Sequence, residues 1–142
     1  MGTTIRPELS LKNRYWISKH RYYELKHFCM QYHEWKSKYT SIDRIMRSSS
    51  IVLANDKSEN ASLNPSITEK YAEVLISLKE RIDIVEQSCK EASQEYCNAL
   101  IAAVTTGVGY EKLKARYSIY LPKDCWYVLY RKVFWIIDKK RD

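Results

Sequence analysis

The chain has 142 residues, with 24 Lys and Arg against 17 Asp and Glu, a formal charge of +7. Hydrophobic residues make up 45%, near the ~45–50% of globular chains, which excludes wholesale disorder. Its 3 Gly and 3 Pro are too few for a β-sandwich or barrel that turns every ~8–12 residues. No GxGxxG or GxxxxGK run opens a nucleotide site either. An all-α fold remains, a small bundle of about five or six helices.

Residues 1–17 open irregularly, and Ser18 reads as the N-cap of a helix from Lys19 to about Tyr39. Tyr22, Leu25, Phe28, Cys29, Tyr32 and Trp35 recur at the spacing of one helical face, with a break expected near Tyr32-His33-Glu34. Ile42, Ile45 and Met46 extend a second, short helix. The Ser-, Asn-, Asp- and Pro-rich stretch over 48–66 reads as a linker or mobile loop. The chain thus divides into a basic aromatic helical segment over 1–47, that linker, and a helical core over 67–142.

From Ser66 or Thr68, Tyr71, Val74, Leu75, Leu78, Ile82 and Val85 form the apolar stripe of the longest helix. Tyr96, Leu100, Ile101 and Val104 define the next, which ends at Gly107, a residue that accepts the left-handed conformation of a helix end. Tyr110 to Tyr117 is a short helix holding Leu113. Pro122 suits the first position of the last helix, where a missing N–H costs nothing. There Cys125, Leu129, Val133 and Ile136 are the expected seam.

The charge is uneven: residues 1–50 carry +6, residues 51–100 carry −4 and residues 101–142 carry +5. Basic segments attract phosphates by releasing their counterions. The C-terminal order of short helix, turn and longer basic helix is that of a helix-turn-helix, whose second helix lies in the major groove. Lys123, Asp124, Tyr127, Tyr130 and Arg131, opposite the expected seam, are the candidates to reach base edges, and Lys112, Lys114, Arg116 and Lys132 those for phosphates.

Two runs, Val108-Gly109-Tyr110-Glu111-Lys112-Leu113-Lys114-Ala115-Arg116-Tyr117-Ser118-Ile119 and Trp126-Tyr127-Val128-Leu129-Tyr130-Arg131-Lys132-Val133-Phe134-Trp135, resemble the C-terminal part of phage and prophage late-gene transcription activators of the RinA and ArpU type. That part is similar to sigma-factor region 4. Arg21-Tyr22-Tyr23-Glu24-Leu25-Lys26-His27-Phe28, with Glu34-Trp35-Lys36, resembles their N-terminal helix. Lys114 and Ser118 stand where region 4 commonly has Ala in the first helix and Gly at the turn. The resemblance implies a sequence-specific regulator that binds double-stranded DNA and acts with host RNA polymerase, or as a homo-oligomer. Two alternatives from other classes are a phage-encoded module that inhibits a host nucleic-acid enzyme, and a DNA-packaging or structural phage component.

No cofactor, metal or catalysis is expected. His20, His27, Cys29 and His33 lie close in sequence, but His27 and Cys29 fall on different helical faces, whereas zinc ligands must converge. No carboxylate pair or activated nucleophile is apparent. Tyr22, Tyr23, Tyr32, Trp35 and Tyr39 among Arg21, Lys26, Lys36 and Lys38 admit three readings: core packing, a base-stacking platform, or anchors for a protein partner. Cys29, Cys89, Cys97 and Cys125 are scattered without CxxC, and neither a signal peptide nor a membrane span is visible. A reduced, cytoplasmic protein without membrane contact is expected, in the host cytoplasm if phage-encoded.

Overall fold

The computed structural model describes residues 14–55 and 65–141, which hold six helices and no strand. They are α1 (Lys19–Met30), α2 (Tyr32–Asn55), α3 (Pro65–Ala92), α4 (Cys97–Thr106), α5 (Tyr110–Tyr117) and α6 (Lys123–Lys140). No helix among the described residues is long and apolar enough to cross a membrane. The described residues fall into two compact units, one of residues 14–32 with 83–141 and one of residues 33–55 with 65–82.

In the larger unit α1 packs on α4 and α6, and α4 packs on α5 and α6. α1 starts where expected, Ser18 accepting from the Arg21 N–H at 3.4 Å, which satisfies one otherwise orphaned donor. Its predicted face is the buried one: Tyr22, Leu25, Phe28 and Cys29 all point inward, and Tyr32 continues the stripe past the single-residue break at Gln31. α4 meets three neighbours because its buried face is mostly small, with Ala99 and Ala103 beside Leu100 and Val104. Gly107 ends α4 at φ 73° and donates its N–H to the Ala103 carbonyl at 3.0 Å. A Cβ is disfavoured at that φ, which explains the glycine.

The smaller unit is built from α2 and the first part of α3. Trp35 and Ile42 are buried on α2, and Leu78 and Ile82 on α3. The Arg81 guanidinium lies 6.0 Å from the Trp35 ring centre, a cation–π distance. Within the polar stretch expected as a linker over 48–66, α2 runs on to Asn55 and α3 begins at Pro65. Its remaining residues, 56–64, lie outside the described residues. Propagating an existing helix adds one hydrogen bond per residue, and Ser lowers helix propensity by only tenths of a kcal/mol.

The seam of α6 differs from the expected one. Trp126, Val133, Phe134 and Ile137 are buried, whereas Cys125 is exposed and Leu129 and Ile136 are only half-buried. The core takes Trp126 and Phe134 together with Val133 and Ile137, one step round the helix from the expected seam, since those two aromatic rings remove more apolar area from water than Cys125 and Leu129. Pro122 is correspondingly the N-cap, one residue before α6 begins.

Burial also sets how this core responds to base. The Cys29 thiol is pushed from its ordinary 9.0 up to about 12 by desolvation, with Arg141 pulling weakly the other way. Burial likewise raises Cys89, Tyr32 and Tyr130, and the hydrogen bond that the Tyr32 hydroxyl donates to Glu86 at 2.7 Å adds to it. A raised folded-state value means that the unfolded chain ionises first, so stability is full below about pH 9 and falls as the pH rises above it. We expect a melting temperature that holds between pH 7 and about 8.5 and drops from about pH 9 upward. Each such group contributes a slope of up to about 1.4 kcal/mol per pH unit. Constant thermal stability up to about pH 11 would contradict these burials.

Candidate nucleic-acid interface

The α5–turn–α6 segment is held firmly from behind. Ile119, in the turn, is buried. The Tyr110 hydroxyl donates to the Leu121 carbonyl, and the Tyr120 N–H donates to the Tyr96 hydroxyl at 3.4 Å. Tyr96 in turn meets Trp126 edge-on, with ring centres 6.3 Å apart. Ser118 occupies the left-handed region at φ 54° and donates its N–H to the Lys114 carbonyl at 3.1 Å, closing α5 where a glycine would be less strained. The turn is therefore ordered before any ligand arrives.

The expected contact residues fall into three groups. Lys112, Lys114 and Arg116 are exposed on α5, with the Lys114 ammonium 5.8 Å from the Tyr110 ring centre. Lys123 and Asp124 are exposed in the first turn of α6, while Tyr127, Arg131 and Lys132 are half-buried further along. Tyr130 is the exception. Its ring packs against Phe134 at 5.0 Å and its hydroxyl lies 3.3 Å from that of Tyr22, which makes it part of the core and takes it off the outward face.

Between residues 110 and 132 the sequence has six cations and two carboxylates. Among the described residues, no carboxylate forms an ion pair with Lys112, Lys114, Arg116, Arg131 or Lys132. Several cations elsewhere in this unit are engaged. Arg21 bridges Asp138 at 2.6 Å and Glu24 at 2.7 Å, and Lys140 bridges Glu91 at 2.8 Å. Lys139 sits 3.5 Å over the Trp135 ring and Arg141 3.9 Å over that of Phe28. Lys112, Lys114, Arg116, Arg131 and Lys132 thus form a cluster of cations without a carboxylate partner on α5 and the first half of α6.

Arg131 adds a sharper feature, because its Nε is enclosed and has no hydrogen-bond partner. A buried donor left unpaired costs about 1–3 kcal/mol. With the corrected seam, the side of α6 turned from the core carries Asp124, Val128, Arg131 and Trp135 at steps of four, three and four. Val128 is 43% exposed and was not among the expected contacts. An exposed aliphatic at i−3 from Arg131 was the available signal, hidden by the misplaced seam. Tyr15 covers the end of this face, meeting Trp135 edge-on at 5.2 Å, so the open part runs from Asp124 to Lys132.

The front aromatics are mostly core: Tyr22, Tyr32 and Trp35 are buried, and only Tyr23 and Tyr39 keep partial exposure. Cys29 is buried while His20, His27 and His33 are exposed. Among the described residues no group of three or more His, Cys, Asp or Glu could hold a metal ion. No family model, curated protein or solved structure matches the chain.

Proposed function

We propose that the protein is a sequence-specific, double-stranded-DNA-binding transcription regulator of the phage type, acting with host RNA polymerase. Its contacts to DNA come from α5, the turn and the first half of α6. What supports this is a cluster of cations: Lys112, Lys114, Arg116, Arg131 and Lys132, on α5 and α6, have no carboxylate partner, whereas Arg21 and the cations at the end of α6 are engaged internally. Phosphates would supply the missing acceptors, and α6 would lie in the major groove with α5 above the backbone. The link to polymerase rests on the resemblance to late-gene activators alone.

A mobility shift with a random 30-base-pair duplex pool tests this against a surface that is merely basic. The paired Lys112→Glu and Arg116→Glu substitutions should abolish the shift, and Lys70→Glu, on the exposed start of α3 in the other unit, should leave it unchanged. Absence of any shift at low salt, or equal weakening by Lys70→Glu, would remove the assignment. The first of these would favour a protein partner for the exposed Tyr120 and Val128.

A further inference from the structure

We infer that the outward face of α6 reads neighbouring base pairs in the major groove, Arg131 taking a guanine, Val128 the methyl group of an adjacent thymine, and Asp124 the amino group of a cytosine about three base pairs from that guanine. This rests on the duplex-binding assignment above and adds to it which bases are read and by which side chains.

The geometry of Arg131 narrows the choice of base. Its Nε is enclosed against the protein without a partner, and the residue as a whole is half-buried. The side chain is therefore held by packing and can offer a ligand only its two terminal nitrogens, end-on. Guanine, with O6 and N7 side by side on the groove edge, accepts such a fork with two hydrogen bonds, and no other base presents two adjacent acceptors there.

Val128 lies three residues before Arg131 on the same side of the helix and is 43% exposed among cations. Side chains three apart are about 5–6 Å from each other, and stacked base pairs repeat at about 3.4 Å, so the two reach neighbouring pairs. A valine cannot contact a phosphate usefully. The thymine methyl is the apolar group on the major-groove edge, and it is the natural complement of Val128.

Asp124 is the odd member, an exposed carboxylate between Lys123 and Arg131 on a surface otherwise suited to phosphates. It sits in the first turn of α6, where a negative charge favours the helix dipole, and that accounts for its tolerance there. In a groove flanked by phosphates an ionised carboxylate is repelled unless it accepts a hydrogen bond from a base. Cytosine N4 is the donor that the direct-readout pairings assign to Asp, and the repulsion everywhere else sharpens the choice. From Asp124 to Arg131 the helix advances about 10.5 Å, or roughly three base-pair steps at about 3.4 Å each.

The test is selection from random duplexes by the full chain, followed by sequencing, for the wild type, Arg131→Ala, Val128→Ala and Asp124→Asn. Wild type should recover a guanine next to a thymine, with a cytosine within about four positions. Arg131→Ala should flatten the guanine column and weaken binding about tenfold or more. Val128→Ala should flatten the thymine column alone. Asp124→Asn should move the cytosine column toward adenine, because an amide pairs with adenine N6 and N7, an outcome that a purely helix-stabilising Asp124 would not give. Melting curves near that of wild type are expected for all three variants, and unfolding of any would overturn the outward placement of its residue. If wild type selects a motif whose columns the variants leave intact, the base assignment falls and duplex binding stands. If wild type selects nothing and retains no duplex, both fall.

Discussion

Phe134→Ala should lower stability by about 3–5 kcal/mol, the usual cost of truncating a fully enclosed aromatic side chain. In denaturant titration this appears as a lower midpoint, and in heating as a fall of roughly 10–20 °C for a chain of this size. Phe134 has no exposed surface, and its ring meets those of Tyr22 at 5.3 Å and Tyr130 at 5.0 Å, so α1 and α6 cannot collapse onto the vacancy without losing both contacts. Trp126, buried beside Tyr96, should behave alike. Leu129→Ala should cost less than about 2 kcal/mol, since its side chain is only half-buried and water already reaches part of it. Equal losses for Phe134→Ala and Leu129→Ala would restore the seam of Cys125, Leu129 and Val133.

That contrast also marks how far the sequence could be read. On α1 the apolar residues form a single series, Tyr22, Leu25, Phe28, Cys29 and Tyr32, with charged residues between them, and the helical period admits one phase. On α6 two series compete one position apart, and Tyr130 with its polar tip looks as much like a surface residue as a core one. What decides is a hydroxyl 108 residues away, that of Tyr22 at 3.3 Å, which no local pattern contains. The bridge from Arg21 to Asp138 is equally invisible in sequence, because it joins residues 117 apart. The cations of α5 were legible as exposed from composition alone, and the short helix Tyr110–Tyr117 falls where the spacing placed it. Whether a given cation is spoken for was not legible: Lys139 and Lys140 read no differently from Lys112, yet the first covers Trp135 and the second pairs with Glu91.

The cations of α5 and early α6 carry the second large effect. If about four or five of the cations on α5 and early α6 neutralise phosphates, the logarithm of the binding constant should fall by about 0.9 per contact for each tenfold rise in salt. Between 50 and 200 mM salt that corresponds to a loss of about 10²–10³-fold, measurable by fluorescence anisotropy on a labelled duplex. Removing one phosphate contact with Lys112→Ala or Arg116→Ala should reduce the slope by about one and weaken all duplexes alike. Arg131→Ala should instead leave the slope nearly unchanged while lowering affinity for the selected site only, because a base contact releases no counterion. Asp124→Asn should raise affinity for random duplexes, since it removes a negative charge from the face of α6 proposed to lie in the groove. A slope close to zero for the wild type would show that these cations do not meet phosphates, and an Asp124→Asn variant that binds random duplexes more weakly would place Asp124 away from the DNA.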